Sequence, residues 1–415
     1  MAVTALLSSQ ARALLEADRG LLAELAYGLR GPFHVLFPDR FEANLRAFRA
    51  VMKAVGVEGQ IHYAKKANKA ACFVERCAEE GAGVDVASVG ELRDALGHGV
   101  RGERIVVTGP AKADELLRLA THHGCLITVD SLDELERVAR LEARIMLRAL
   151  PPGRPHSRFG MTAEELDTAL RRRGRARLEG FSFHLTGYDP AERAEVAAWL
   201  VEWCERTASP AVDTISIGGG FAVDYTGRPV DITGHRFHAD RAFTDFYPYH
   251  SSVSGPDALR AVLSTGGLGR RLRERGIRLL IEPGRALLDQ AGMTVFQVQG
   301  VKARDYGIIT VDGTSLSLSE QWFNSEFLPE PRPVPVRPGG PFEACVGGAS
   351  CLESDLLTWR RITLPGRPRA GDLLVYPNTA GYQMDSNESR FHELPLPPKV
   401  VIEADGRWRL DRAPS

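Results

Sequence analysis

No stretch of this chain approaches the roughly 20 consecutive apolar residues that a bilayer-spanning helix needs, so no transmembrane helix and no membrane partner are expected. The opening residues, MAVTALLSSQARALLEADRG, lack a basic start ahead of their apolar positions and turn acidic soon after. They read as an amphipathic helix, not a secretory signal. Cysteine is sparse: six are scattered over 415 residues with no CxxC pair, which provides neither a disulfide framework nor a zinc site. No metal is expected. Neither sign of charge dominates, and a formal net charge of −1 gives no reason to expect nucleic acid as a partner. Internal repeats and long linkers are also lacking. The 41 glycines and 25 prolines fall in short clusters between periodic segments and mark turns. What remains has the composition of an ordinary globular protein, long enough for two or three domains, with the cytoplasm as the expected compartment.

From residue 33 onward, short β-rich runs alternate with helical stretches. HVLF (34–37), IHYA (61–64), VDVAS (84–88), RIVVTG (104–109), LITVD (126–130), RIMLRAL (144–150), GFSFHLTG (180–187), TISIGGGF (214–221) and RLLIEPGR (278–285) are the strand signals. Helix patterns such as RFEANLRAFRAVMKAV and SLDELERVARL lie between most of them. Such alternation implies a parallel sheet, and about eight units of this size imply a (β/α)8 barrel over 33–290. Polar residues and glycine recur at the strand ends: Lys66, Asp85, Thr108, Asp130, Arg148, His184, Gly218 and Glu282. In such a barrel the carboxyl ends of the strands form the active face. Beyond residue 290 the texture changes to short strands broken by Gly and Pro, which predicts an all-β domain, a sandwich or barrel, over 291–415. Residues 1–32 are expected to pack with that β domain. Residues 222–262 read as a long loop-rich excursion, a lid or interface element.

Six segments carry candidate chemistry. Lys65 and Lys66 follow an apolar strand, and only one of them can face inward. A lysine desolvated there would lose its proton easily and could attack an aldehyde. The glycines of Ile217-Gly218-Gly219-Gly220-Phe221 expose N–H groups that can cradle a phosphate. In Ile281-Glu282-Pro283-Gly284-Arg285, the carboxylate could keep a ring nitrogen protonated, and the arginine suits a phosphate or carboxylate. His184 could stack on a flat ring. In Cys351-Leu352-Glu353-Ser354-Asp355 the thiol is a possible proton donor, and the acids could meet a substrate amine. Tyr382 could meet a phosphate. Taken singly, each has a plainer explanation: a solvated lysine, a tight turn, a local ion pair, a core histidine, a structural cysteine or a core tyrosine.

In order and spacing these segments resemble the fold type III decarboxylases that depend on pyridoxal 5'-phosphate, the group of diaminopimelate, ornithine and arginine-type decarboxylases, with alanine racemase more distant. YAKKAN, GVDVASVGEL (83–92), VTGPAK (107–112), TVDSLDEL (128–135), SRFGM (157–161), IGGGF, IEPGR, the C-x3-D of Cys351 and Asp355, and AGYQMDSN (380–387) carry the likeness. It is closest to the diaminopimelate decarboxylase branch. The resemblance implies an alanine racemase-like barrel with a C-terminal β domain and pyridoxal phosphate as cofactor. It selects Lys66 as the Schiff-base lysine. It implies that His184 stacks on the cofactor ring, Gly218, Gly219 and Gly220 cradle the phosphate, and Glu282 partners the ring nitrogen. Arg285 would line the phosphate or the substrate carboxylate, Tyr382 the phosphate and substrate, and Asp85 and Arg148 would form a pair behind the cofactor. Cys351 and Asp355, with Glu353 nearby, would serve the other subunit's site, which makes the protein a homodimer with shared active sites.

The departures bear on the substrate. The family's H-x-G-S turn reads His184-Leu185-Thr186-Gly187 here, so a phosphate-binding serine is missing and Thr186 is the candidate replacement. The family's Arg-x3-Tyr segment, which grips the distal end of diaminopimelate, is replaced by SLSLSEQWFNSEF, without arginine. C-E-S-x-D becomes C-L-E-S-D, and the 222–262 excursion is long. The resulting expectation is an amino-acid α-decarboxylase that releases carbon dioxide and an amine, with Cys351 as proton donor. Its substrate would be a basic or diamino acid, or a carrier-bound aminoacyl group recognised by FYPYH (246–250). Two other readings are an amino-acid racemase or epimerase and a non-catalytic regulatory homologue that binds pyridoxal phosphate. Racemases of this group place an arginine near the ring nitrogen, and Glu282 argues against them.

Overall fold

The computed structural model describes residues 3–17, 20–207, 209–232, 234–243, 246–320, 328–385 and 388–411. After β1 (Phe33–Leu36), eight strands close into a parallel barrel: β2 (Gly59–Ala64), β3 (Gly83–Val86), β4 (Ile105–Val107), β5 (Leu126–Val129), β6 (Arg144–Arg148), β7 (Arg177–Ser182), β8 (Thr214–Ser216) and β9 (Arg278–Ile281). Strand β9 pairs back onto β2, which completes the expected barrel. Four of these strands, β3, β4, β5 and β8, are buried at every position and the others at most positions, as strands covered on both faces must be.

Side-chain alternation in the barrel decides what faces the mouth. Val106, Leu126, Met146 and Leu280 form an apolar cluster of their own, while their strand neighbours, such as Val107, Ile127, Ile145 and Ile281, pack into the larger core. The first set therefore points inward and the second outward, under the helices. One period of two further along, Thr108, Arg148 and Glu282 fall on the inward side. Asp85 pairs in register with Val106, and Ser216 with Leu280, so both share that side. The inward face is thus apolar below and polar at the carboxyl ends.

Strand β1 departs from the sequence expectation that it opens the barrel. It pairs antiparallel with a strand from beyond the barrel, β10 (Gly292–Ala303). With β11 (Gly307–Val311), β12 (Arg332–Val334), β13 (Phe342–Gly347), β14 (Leu356–Leu364), β15 (Leu373–Pro377), β16 (Lys399–Ile402) and β17 (Trp408–Leu410), these form a nine-stranded sheet among the described residues. Its main path runs β14-β13-β11-β10-β1-β16-β17, with β15 bridging β10 and β12. Four buried residues, Phe33–Leu36, look like a barrel strand from composition alone. Pairing with partners more than 250 residues away decides otherwise. The helices Ser9–Glu16 and Gly20–Leu29 pack Ala11, Leu22 and Leu25 onto this sheet, against Val35, Val295 and Val400.

The 222–262 excursion divides in two. Its last part enters the helix Gly255–Ser264, which starts at a Gly-Pro pair and buries Leu259, Val262 and Leu263 against the barrel helices Pro38–Val55 and Pro190–Thr207. The sequence reading missed this helix. The first part, of which 233 and 244–245 lie outside the described residues, is a strap. One end lies along the free edge of β14, where Phe237 bridges Arg360 and Arg361 donates its amide to the Arg236 carbonyl at 2.8 Å. The edge beneath it is stiffened by a fully buried ion pair, Arg360 Nε to Glu320 Oε1 at 2.6 Å. The other end reaches the barrel mouth. Among the described residues, no helix is long and apolar enough to cross a membrane.

Candidate active site in the barrel mouth

The two lysines after β2 part company in the turn Lys65–Ala67. Lys65 is buried, with its ammonium 2.9 Å from Asp94 on the helix Val89–Gly97, close enough for an ion pair though not aligned as a hydrogen bond. Lys66 remains open to the mouth. Burial pulls its ammonium toward the neutral form, but Asp85, the Tyr382 phenol and Glu282 outweigh burial, with Arg148 opposing them. The net effect is a pKa above the ordinary lysine value. This reverses the expectation of an easily deprotonated lysine, because carboxylates on neighbouring strands hold the proton on.

Asp85 sits in β3 and accepts a 2.6 Å hydrogen bond from the Thr108 hydroxyl. Burial first, and then the nearby Glu282, push its carboxyl up to about 7, against the pull of Lys66 and of that hydrogen bond. The mouth therefore holds a carboxyl group that titrates near neutrality beside a lysine that does not. Asp85 and Arg148 are not bonded to each other. Arg148, at the end of β6, donates to Asp130 at 3.1 Å and lies over the Phe159 ring at 4.4 Å.

His184 follows β7 by two residues. Its ring keeps contact with solvent, yet crowding by the protein, then Lys66, Arg148 and Arg193, lower its pKa to about 3. The imidazole is neutral at ordinary pH and presents a flat, uncharged face. It sits against the glycine loop: a Cβ on Gly218 would lie 2.9 Å from His184 Nδ1. Gly218 and Gly220 have φ of 65° and 79°, in the left-handed region that glycine tolerates. A Cβ on Gly219 would lie 2.6 Å from the Glu282 carbonyl. Among the described residues, the amides of Gly219, Gly220 and Phe221 bond no acceptor in the chain. Three consecutive open N–H groups make a nest for an anion.

Glu282 follows β9 and accepts a 2.6 Å hydrogen bond from the Ser216 hydroxyl, which in turn accepts from the Gly218 amide at 3.2 Å. Sequence reasoning missed Ser216. The signal was present, since it stands two residues before Gly218 on the inward side of its strand. The set fits the expected cofactor. Lys66 offers an amine for the aldehyde, the glycine loop a cradle for the phosphate, and Glu282 a carboxylate for the ring nitrogen.

Arg285 and Tyr382 lie at one side of the mouth. The Tyr382 amide donates to the Ala67 carbonyl at 2.7 Å, which ties it to the Lys66 turn, and its φ of 70° is unusual for a residue with a side chain. A Cβ on Gly284 would lie 3.1 Å from the Tyr382 hydroxyl and 2.9 Å from Ala67 Cβ, so only glycine lets the two segments approach this closely. The Arg285 guanidinium is held between two rings, 4.4 Å from Tyr247 and 4.7 Å from Tyr382. It also donates to the Tyr225 hydroxyl at 3.2 Å. Tyr225 and Tyr247 belong to the strap, and the Tyr247 hydroxyl bonds that of Tyr188. The aromatic residues expected to face a large partner are spent inside the protein. Tyr247 covers Arg285, Tyr249 is buried, and Phe246 stacks on Phe237.

The Cys351 segment stands apart, on the turn between β13 and β14. Cys351 and Glu353 are exposed, and the Cys351 amide donates to His392 Nε2 at 3.4 Å. Asp355 is buried, and its carboxylate is taken up by two backbone amides, Ser315 at 2.6 Å and Ser350 at 2.9 Å. Its carboxylate thereby ties down the turn that carries Cys351 and Glu353. The stretch 321–327 of the divergent SLSLSEQWFNSEF segment, and 386–387 of AGYQMDSN, lie outside the described residues.

Comparison with known proteins identifies the family. Residues 40–289 match the pyridoxal-binding domain of the pyridoxal-dependent decarboxylases. The uncharacterized protein y4yA of Sinorhizobium fredii is 38% identical, over 98% of this chain and 95% of its own length. Diaminopimelate decarboxylase of Actinosynnema pretiosum is 29% identical over 93% and 87%. The fold is shared with diaminopimelate decarboxylase from M. jannaschii in co-complex with L-lysine, at a TM-score of 0.77 and 19% identity over 94% and 91% of the two chains. It is also shared with lysine/ornithine decarboxylase complexed with putrescine from Vibrio vulnificus, at 0.74 and 20% over 97% and 100%. A family match over more than half the chain, a barrel mouth that places an amine, an amide nest and a carboxylate together, and relatives that span nearly the whole length lead to one conclusion: this chain belongs to the pyridoxal-dependent decarboxylases, carboxy-lyases whose cofactor is pyridoxal phosphate.

Proposed function

We propose that this protein is an α-decarboxylase of a free amino acid other than diaminopimelate, releasing carbon dioxide and an amine, and that it works as a cytoplasmic homodimer. The observation that carries the reading is Glu282, a carboxylate held by Ser216 at 2.6 Å and close enough to Lys66 to raise its pKa. Bound there, pyridoxal phosphate supplies an electron sink, and a carboxylate beside its ring nitrogen favours the strongest form of that sink. Lys66 would hold the cofactor through its aldehyde, His184 would cover the ring, and the glycine loop would anchor the phosphate. Asp85, with its carboxyl near neutrality, is suited to take up or return a proton at the Lys66 amine.

A basic or diamino acid is the substrate class we favour. Glu353 is an exposed acid on the Cys351 turn, and if that turn serves a partner subunit's mouth it would attract a substrate ammonium group there. The carrier-bound alternative loses its support because Tyr247 and Tyr249 are turned inward. The cytoplasmic assignment rests on cysteines that are all free, five of them buried. A panel of free amino acids assayed for carbon dioxide release, with Lys66→Ala as control, tests the proposal. A basic amino acid is expected to give gas and the matching amine. Exchange of the α-hydrogen in deuterated water without gas release would establish racemisation instead, and spectra of bound cofactor unmoved by any amino acid would point to a non-catalytic homologue.

A further inference from the structure

Arg193 belongs to the helix Pro190–Thr207 and is 1% exposed. A buried arginine is normally neutralised by a carboxylate. This one bonds only backbone carbonyls among the described residues: Ile217 at 2.8 Å, Gly187 at 3.3 Å and Gly220 at 3.4 Å. Burial lowers its pKa to about 10, against an opposing pull from Glu192 and Tyr188, neither of which bonds it. Carbonyl dipoles solvate the cation in part, but they carry no net charge, and a buried cation without a counter-anion is costly.

All three carbonyls frame one place. Ile217 and Gly220 bracket the glycine loop, and Gly187 occupies the position where the family pattern has its phosphate-binding serine. The Gly220 carbonyl shares its planar peptide with the Phe221 N–H, so turning the one toward Arg193 turns the other away from it. The amides of Gly219, Gly220 and Phe221, which bond no acceptor in the chain, belong to the same loop. The approach is close, since a Cβ on Gly220 would lie 2.4 Å from Arg193 Nη2, and the φ of 79° there favours glycine as well. The lost serine would have supplied one neutral donor. The arginine behind the loop supplies a full positive charge, one peptide layer removed from the nest.

We propose that Arg193 is the positioning residue and buried counter-charge for the phosphate group of pyridoxal phosphate. It fixes the glycine loop by its carbonyls and offsets the dianion from behind. The inference rests on the cofactor and is independent of the reaction catalysed, so a failed decarboxylation assay leaves it standing.

The test is a pair of binding titrations followed by cofactor absorbance, one with pyridoxal phosphate and one with pyridoxal, which lacks the phosphate. In the parent protein the phosphate raises affinity by some ratio. Arg193→Met, similar in length but neutral, is expected to cut that ratio about tenfold or more, with pyridoxal affinity changed less than threefold. A purely structural role would weaken both ligands alike and leave the ratio intact, and that result overturns the proposal. If Arg193→Met does not fold, Arg193→Gln keeps a donor for the carbonyls and removes only the charge. The same criterion then decides: a reduced ratio supports the proposal and an unchanged ratio rejects it.

Discussion

The Ser216 hydroxyl donates to Glu282 at 2.6 Å and accepts from the Gly218 amide at 3.2 Å, so one small side chain links the carboxylate at the end of β9 to the glycine loop after β8. Hydrogen bonds to a charged group are among the stronger ones, each worth about 1.5–3 kcal/mol. Ser216→Ala removes that bond without adding bulk. We expect kcat for decarboxylation to fall on the order of tenfold, with the fold intact by circular dichroism and the cofactor still bound. Glu282→Gln should cost more, on the order of a hundredfold or beyond, because it removes the negative charge itself. Equal activity in the parent and Glu282→Gln would show that the carboxylate is not coupled to the reaction.

Asp85 makes the stability of the cofactor-free protein depend on pH. Its carboxyl is raised from 3.8 to about 7 in the folded chain, by burial and then by Glu282. The unfolded chain releases this proton near its ordinary value, while the folded chain keeps it until near neutrality. Between these two points the native state binds more protons than the unfolded one, so this group's contribution to stability falls as pH rises from about 4 to 7. Asp85→Asn removes the titration. Denaturant midpoints of the two cofactor-free proteins across that window should show the parent losing stability relative to the variant as pH rises. Parallel curves would mean that Asp85 titrates normally.

The parts of this protein that could be read from its sequence are those where the signal is local. Strands β2 to β9 are short apolar runs bounded by polar ends, and the period of two places Glu282, Arg148 and Asp85 on the inward side. Strand β1 has the same local signature, but its partners β10 and β16 lie far away in sequence, and no pattern within Phe33–Leu36 names them. The Lys66 proton was misjudged for a related reason: burial is local to the lysine, whereas Asp85 and Glu282 arrive from other strands. Arg193 left no trace at all, because its partners are main-chain carbonyls, which any residue supplies. The helix Gly255–Ser264 was hidden by the loop-rich text before it, although its Gly-Pro start and apolar stripe were there to be seen.

Tyr247 gives the strap a function at the mouth. Its ring covers Arg285 at 4.4 Å, its hydroxyl bonds that of Tyr188, and burial raises its pKa well above the ordinary phenol value. Together with Tyr225 and Tyr382 it forms a wall on the Arg285 side of the mouth, which would limit the length of a substrate side chain directed there. Tyr247→Ala should raise kcat/KM for substrates with longer side chains relative to the preferred one, by about tenfold. Tyr247→Phe, which keeps the ring and loses only the hydroxyl bond, should preserve the preference. An unchanged preference in the alanine variant would place the substrate elsewhere in the mouth.

Cys351 has an exposed thiol beside Leu352, which is 50% exposed, and among the described residues none of its bonds reaches Lys66. If it serves a partner subunit's mouth, an intact site needs Lys66 from one chain and Cys351 from the other. Lys66→Ala and Cys351→Ala should each be nearly inactive alone. Mixed in equal amounts and allowed to exchange subunits, half of the dimers become hybrids, and each hybrid carries one site with both residues intact. About a quarter of the parent activity should then return, as the symmetry of a two-fold dimer requires. Recovery near that level, together with a dimeric mass in sedimentation, establishes the shared site. No recovery despite demonstrated exchange would mean that each chain completes its own mouth, and the proton donor would then have to be sought among residues already there, with Asp85 the first to test.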